Sequence, residues 1–258
     1  MTGGPIAIGV DVGGSGIKVA AVETSSGSLV GNRSRVRTPQ PSRPEDVIEQ
    51  IARLVGRAGA EVDELAHVGV GVPSVVLEGV TKTAANIDPA WVDYPAQEAL
   101  GKALGRPVVV VNDADAAGLA EMRFGAGAGV GGTVIVLTLG TGTGSGMFVD
   151  GRLVPNTELG HMEIRGRAAE RRSAASARVR RSLSWKAWAN DLDEHLEAID
   201  RILWPALFIL GGGVSKSAER FIPLLKVRPP VVAAKLRNDA GIVGAAIFAA
   251  EQDPGGGS

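Results

Sequence analysis

The sequence predicts an α/β fold made of two similar halves. Short apolar runs alternate with helical periodicities along the chain, the second half repeats the grammar of the first, and each half sends an apolar strand into a glycine-rich turn. The turns are Asp11-Val12-Gly13-Gly14-Ser15-Gly16 and Gly140-Thr141-Gly142-Thr143-Gly144. Glycine lets main-chain N–H groups close on an anion with no Cβ in the way, and successive N–H groups form a concave anion site. Two such turns with a carboxylate between them point to phosphoryl transfer.

The elements follow in order. Apolar runs at 6–10 and 17–22 flank the first glycine turn, so that turn reads as a hairpin rather than a strand-to-helix junction. A Walker loop is absent, because no Gly-x-x-x-x-Gly-Lys-Ser/Thr opens a helix. Ser42-Arg43-Pro44-Glu45 fits a capping box, and Val47, Ile48, Ile51, Leu54 and Val55 follow at helical spacing. A buried strand at 68–72 ends at Pro73, and a helix at 96–104 closes on Gly105. The all-valine run 108–111 is a strand with Asn112-Asp113 at its carboxyl end, where polar residues of α/β sheets commonly meet ligand.

In the second half, a strand at 133–139 enters the second glycine turn, and 147–149 and 153–154 flank an Asp150-Gly151 hairpin turn. A further strand at 206–210 runs into Gly211-Gly212-Gly213, followed by a helix from Ser215. The last helix covers 240–251, and 252–258 reads as a disordered tail. The stretch 125–132 contains a literal Gly-x-Gly-x-x-Gly but precedes a strand, whereas the dinucleotide fingerprint follows one. It reads as a loop between helix and strand.

Composition narrows the function classes. The chain has 258 residues, 45% hydrophobic and 21% charged, which is ordinary for a soluble globular protein. A net charge of −1 gives no global attraction to nucleic acid or membrane, so a polyanion must be held by a local patch. Without cysteine there is neither a disulfide framework nor a thiolate zinc site. No run approaches the roughly 18 apolar residues of a membrane span. A first strand beginning by Ile6 leaves no room for a secretory signal, so a cytoplasmic setting is expected.

Asp11-x-Gly13-Gly14-Ser15 with Lys18, Asn112-Asp113, the second glycine turn, Glu158-Leu159-Gly160-His161 and Leu210-Gly211-Gly212-Gly213 together resemble the ROK family of sugar kinases and repressors, over nearly the whole chain. Within it, Ala84-Ala85-Asn86-Ile87-Asp88, Gly160-His161-Met162-Glu163-Ile164-Arg165-Gly166 and Leu183-Ser184-Trp185-Lys186 are most similar to the polyphosphate-using glucokinases of actinobacteria. The resemblance implies a two-lobed actin- and hexokinase-like (ribonuclease H-like) fold, with a mixed sheet and flanking helices in each lobe and a cleft between. It implies a small lobe at 1–112 completed by the helix 239–251, a larger lobe at 113–238, and a homodimer. The family's cysteine-rich zinc knot has no counterpart at 165–181, so no zinc is expected, and only about five residues precede the first motif where the repressors carry a DNA-binding helix-turn-helix.

Residue roles follow from chemistry and resemblance together. An alcohol is a poor nucleophile until its proton has a destination, which makes Asp113 the candidate base; its structural alternative is an N-cap of the next helix. Asp11 is the candidate magnesium ligand, directly or through water. Gly13, Gly14, Ser15, Gly140, Thr141 and Gly142 are expected on the donor phosphates. Lys18 either supports that charge or is a solvated strand residue. Sugar hydroxyls need converging hydrogen-bond partners, for which the resemblance offers Glu158, His161 and Glu170, with Asn86, Asn112 and Asp113 added. Gly211, Gly212 and Gly213 are expected near a nucleotide. His67 and His195 lie in surface-like sequence surroundings and receive no role.

Two features bear on the donor. From Arg165 to Lys186 there are eight basic residues (Arg165, Arg167, Arg171, Arg172, Arg178, Arg180, Arg181 and Lys186) against one acid, Glu170, which would attract a long polyanion. The alternative is a solvated helix face. The glycine triplet keeps ATP open as a donor. The resulting expectation is phosphoryl transfer from inorganic polyphosphate, ATP or both to the 6-hydroxyl of glucose, with an ATP-preferring hexose kinase (glucokinase or glucomannokinase) as the alternative enzyme.

Overall fold

The computed structural model describes residues 4–59 and 66–252, so all but the first residue of the tail expected at 252–258 lies outside the described residues. The chain forms two compact units: one takes the chain up to Ala120 and from Asp239 onward, and the other is Glu121–Asn238.

The first unit contains β1 (Ile6–Gly13), β2 (Gly16–Glu23), β3 (Ser28–Val36), α1 (Pro44–Gly59), β4 (Val68–Val72), a small hairpin of β5 (Val76–Leu77) and β6 (Val80–Thr81), α2 (Ala96–Leu104), β7 (Val108–Asn112) and the start of α3 (Asp113–Phe124). Its sheet runs β3-β2-β1-β4-β7, with β1 antiparallel to β2 and parallel to β4. Every residue of β4 is buried, as a parallel strand covered on both faces requires. The edge strand β3 escapes the apolar pattern because it is mostly solvent-facing and carries Arg33 and Arg35, as edge strands often do.

The second unit contains β8 (Thr133–Leu139), β9 (Thr143–Val149), β10 (Arg152–Val154), a small hairpin of β11 (Glu163–Ile164) and β12 (Arg167–Ala168), α4 (Glu170–Ser173), α5 (Ala175–Arg180), α6 (Trp185–Leu203), β13 (Leu207–Gly211) and β14 (Val231–Ala233). Its sheet order, β10-β9-β8-β13-β14, repeats the first: a hairpin and a third antiparallel strand on one side, two parallel strands on the other. Trp188 and Phe221 pack edge to face, with centroids 4.9 Å apart, in the core beneath α6. The glycine-rich stretch after α3 is a loop, anchored where the buried Glu121 carboxylate accepts the N–H groups of Ala126, Lys235 and Leu236.

The final helix α7 (Ala240–Glu251) belongs to the first unit and lies against the backbone of its sheet. A Cβ at Gly9 would fall well inside contact with the Ile242 carbonyl, one at Gly69 inside contact with the Ala245 carbonyl, and one at Gly244 inside contact with the Ala116 carbonyl of α3. Two elements that carry candidate residues, β1 and α3, are therefore spaced from α7 by missing side chains.

Two local expectations are corrected. Ser42 does not cap α1: the helix begins on Pro44, and the buried Ser42 hydroxyl accepts the Asp88 N–H at 3.0 Å while its carbonyl accepts the Trp91 indole N–H at 2.9 Å. Proline at the first helical position already removes one N–H that would need a cap. The helix expected from Ser215 is instead a 3₁₀ segment, Gly213–Arg220, broken at Ser217 (φ −116°, ψ 26°). None of its residues is buried, so packing contributes little to hold a regular α-helix.

The α7 contact predicts opposite outcomes for two alanines. Gly69→Ala drives a methyl into the Ala245 backbone and is expected to cost roughly 2–4 kcal/mol in chemical denaturation. Gly56→Ala, on the exposed side of the last turn of α1 with nothing within 4 Å of the new methyl, is expected to gain up to about 0.5–1 kcal/mol.

Candidate active site

In the first unit, Asp11 sits near the end of β1 and is paired across the hairpin with Lys18, whose Nζ donates to its carboxylate at 2.6 Å. Lys18, expected at the donor phosphates, is thus held by Asp11. A Cβ at Gly241, in the first turn of α7, would lie 2.8 Å from the Asp11 Cγ, so the helix start packs directly behind this carboxylate. The hairpin closes through Gly14 and Ser15, both exposed. Neither Gly13 nor Gly14 has a positive φ, and a Cβ at Gly14 would meet only the Asn86 carbonyl, at 3.5 Å. The turn itself does not require glycine there. What glycine provides is bare backbone beside Asn86.

Register places the second carboxylate. Asp11, Gly71 and Val111 share one row of the parallel strands, so β1 and β7 are separated at that row by about 10 Å, two strand spacings. Asp113 begins α3 two residues beyond that row, and the absent side chain of Gly71 lets the α3 start approach, its Cα 3.5 Å from where a Cβ would be. The cap of α3 is Asn112, not Asp113: the Asn112 carboxamide oxygen accepts the N–H groups of Ala114 at 2.8 Å and Asp115 at 3.1 Å, and its NH₂ donates to the Ser74 carbonyl. Capping therefore does not explain an aspartate at 113.

In the second unit, the turn Gly140-Thr141-Gly142 lies outside the β8–β9 ladder, whose last pair is Leu139 with Thr143. A Cβ at Gly140 would meet nothing within 4 Å, and its φ is not positive. Its N–H is used internally, on the Gly142 carbonyl at 2.9 Å. The start of α5 ties the turn down: Ser176 donates its N–H to the Gly140 carbonyl at 3.0 Å and its hydroxyl to the Thr141 carbonyl at 2.6 Å. Gly212, by contrast, is structurally required, with φ +80° and no room for a Cβ, which would fall well inside contact with the Leu139 carbonyl oxygen, while Gly213 borders open space.

Glu158, His161 and Glu170 come together. His161 Nδ1 is 3.5 Å from a Glu158 oxygen, and its Nε2 is 4.0 Å from Glu170 Oε1. The other Glu170 oxygen accepts the Thr143 N–H at 2.9 Å, which links this cluster to the second glycine turn. Burial pushes the Glu158 carboxyl above its ordinary range; His161 opposes the shift and Glu170 adds to it. The buried Ser145 hydroxyl of β9 fixes the approach, donating to the Thr157 carbonyl at 2.6 Å and accepting the Leu159 N–H at 2.9 Å.

Sequence reasoning missed Ser145 and misplaced His195. His195 is fully buried on α6, with Nε2 2.9 Å from the Leu159 carbonyl and Nδ1 2.9 Å from the Ser173 hydroxyl. The available signal was periodic: Trp188, Leu192, His195, Leu196 and Ile199 mark one buried stripe of α6.

The basic segment is less free than its count suggests. Arg172 pairs with Asp191 and Glu194, Arg165 with Glu194 and Arg181 with Asp191, while Arg178 lies 4.1 Å over the Trp185 ring. Arg167, Arg171, Arg180 and Lys186 remain exposed without an acidic partner among the described residues, although Arg180 donates to the Arg171 carbonyl. Among the described residues no group of three or more His, Asp or Glu side chains is arranged to hold a metal ion. No helix among them is long and apolar enough to cross a membrane.

Known structures define the class first. An inorganic polyphosphate/ATP-glucomannokinase from Arthrobacter sp. strain KM superposes with a TM-score of 0.94 at 49% identity, covering 96% of this chain and all of that one. A ROK-family glucokinase from Streptomyces griseus, solved with glucose and AMPPNP, superposes at 0.83 with 28% identity, covering 95% and 99%. The fold is thus the mixed α/β fold of sugar kinases. The ROK family model matches residues 7–173, and the chain belongs to the ROK family. The polyphosphate glucokinase of Mycobacterium tuberculosis is 47% identical over 240 residues, covering 93% of this chain and 89% of that protein.

The raised Glu158 carboxyl predicts a pH signature. If Glu158 is a sugar ligand, as the family resemblance implies, its protonation weakens an acceptor for sugar hydroxyls, and the KM for glucose is expected to climb on acidification starting at a higher pH than an ordinary glutamate would give. Glu158→Gln should raise the glucose KM and remove that dependence, read from KM–pH profiles of both proteins.

Proposed function

We propose that the chain transfers a phosphoryl group from inorganic polyphosphate, and also from ATP, to the 6-hydroxyl of glucose. The observation that carries this reading is Glu170: one carboxylate oxygen holds the Thr143 N–H of a glycine turn suited to phosphate, and the other stands beside His161 among candidate sugar ligands. The likeness to a polyphosphate glucokinase and a polyphosphate/ATP-glucomannokinase supports the substrates.

In the proposed reaction Glu158, His161 and Glu170 exchange hydrogen bonds with sugar hydroxyls, and Asn86 and Asn112 add to that recognition set as the resemblance implies. Asp113 takes the 6-hydroxyl proton as the new O–P bond forms and the phosphoanhydride bond to the donor breaks; the proton then passes to solvent. Main-chain groups of Gly13, Gly14, Ser15, Thr141 and Gly142 receive donor oxygens, and the bare Gly140 leaves room for them. Asp11 fits a magnesium ion, directly or through water: its carboxylate already engages a cation in Lys18, and Gly241 leaves no side chain over it. One protein carboxylate with donor oxygens and water is a usual magnesium set, and the ion supplies charge neutralisation on the donor.

A second reading, an ATP-preferring hexose kinase, is favoured by the open space at Gly213 beside the triplet expected near a nucleotide. A homodimer in the cytoplasm belongs to the proposal as the resemblance implies it, and molar mass in solution checks the former.

Incubation with glucose, magnesium and one donor at a time separates these readings. Glucose 6-phosphate from polyphosphate is expected; product from ATP alone would favour the second reading, and product from neither would reject both. Asp113→Asn is expected to keep glucose binding and lose turnover by about 10²–10⁴-fold; near-full activity would remove Asp113 from the mechanism.

The exposed cations make a donor-specific prediction. Replacing Arg171, Arg180 and Lys186 by Gln is expected to raise the KM for long-chain polyphosphate several-fold more than that for ATP, with the difference shrinking as salt rises. Equal changes for the two donors would leave this patch without a donor role.

A further inference from the structure

The buried His195 bonds to the two segments that carry the candidate sugar ligands. Its Nε2 meets the carbonyl of Leu159, which lies between Glu158 and His161, and its Nδ1 meets the hydroxyl of Ser173, three residues after Glu170 on α4. A carbonyl can only accept, so Nε2 carries the hydrogen; in the neutral ring Nδ1 is then an acceptor, and it shares the single Ser173 hydroxyl hydrogen with the Ala169 carbonyl, 2.9 Å and 3.1 Å from that oxygen respectively. Burial lowers the His195 pKa, while the Leu159 carbonyl and the nearby Glu170 carboxylate pull the other way.

The segments it joins have little regular structure of their own. Glu158 precedes and His161 ends a single 3₁₀ turn, Leu159–His161, and α4 is four residues long. The 19-residue α6 is the rigid element behind them, and Trp188, two turns before His195, donates its indole N–H to the Ser173 and Ala174 carbonyls at 3.2 Å. A histidine that merely filled the core would have no reason to end both hydrogen bonds on the ligand-bearing segments.

We propose that His195 is a positioning residue for sugar binding: bonded to Leu159 and Ser173 at once, it sets the distance between the Glu158–His161 turn and Glu170. The inference rests on the reading of those three residues as sugar ligands. It assigns His195 to acceptor affinity, not to donor binding and not to proton transfer.

The test uses the full chain and measures KM for glucose and for the donor separately, with the melting temperature of each variant. His195→Leu keeps the volume and loses both bonds; glucose KM is expected to rise about tenfold or more, with donor KM within about twofold of wild type. His195→Gln places an amide nitrogen near the Nε2 position, where it can donate to the Leu159 carbonyl, and is expected to recover most of the loss. Glucose KM unchanged in His195→Leu, donor KM rising in step with it, or no recovery in His195→Gln overturns the proposal. If His195→Leu does not fold, Ser173→Ala decides: a glucose KM raised about threefold with donor KM unchanged supports the link, and an unchanged glucose KM overturns it. Glu158→Gln separates the levels. If it leaves glucose KM unaltered, the sugar-site reading fails and this inference with it; if it raises glucose KM while His195→Leu does not, only the inference fails.

Discussion

Backbone-to-backbone contact between α7 and the first sheet is the constraint on which much of the first unit depends. Gly9, Gly69 and Gly244 let the helix descend until carbonyl groups occupy positions where side chains would stand. That depth brings Gly241 against Asp11 and Gly244 against Ala116 of α3, so the same helix backs the Asp11 carboxylate and the helix that starts with Asp113. Protein interiors are too densely packed to absorb a misplaced methyl at such contacts. The chemistry proposed for Asp11 and Asp113 is therefore set in part by residues 241–244, far away in sequence.

The second unit solves a different problem, because its candidate ligands sit on short, irregular segments that cannot hold themselves. Buried hydrogen bonds do the holding. Ser145 clamps both sides of Glu158, His195 joins the Leu159 turn to α4, and Glu170 and Ser176 fasten the second glycine turn. The buried Ser145 and His195 are costly to leave unpaired in a low-dielectric interior, so the network favours one arrangement over nearby alternatives. Glu170 belongs both to the cluster with Glu158 and His161 and to the second glycine turn, so the candidate sugar ligands and that turn share a side chain.

Charge in the basic segment is divided by its neighbours on α6. Asp191 and Glu194 engage Arg165, Arg172 and Arg181, and their ion pairs fasten the segment carrying Glu170 to the long helix. The cations left exposed are fewer, and they are the ones able to attract a polyanion.

The sequence by itself determined the elements whose signals are local: the apolar runs of β1, β4, β7, β8 and β13, the helix α2 closed by Gly105 in the left-handed conformation, the helix α7, and both glycine turns. It also brought Glu158, His161 and Glu170 into one list before any geometry was known, through resemblance. Only the tertiary structure decided which partner each polar group takes. Ser42 turned from capping α1 to holding Asp88, Asn112 rather than Asp113 capped α3, Lys18 went to Asp11, and His195 moved from an apparent surface position to the centre of a buried network. The reason is one of range: periodicity and turn chemistry act over a few neighbouring residues, whereas a hydrogen-bond partner can be 46 residues away for Asp88 or 115 for Leu236, and only the folded chain brings those atoms within reach.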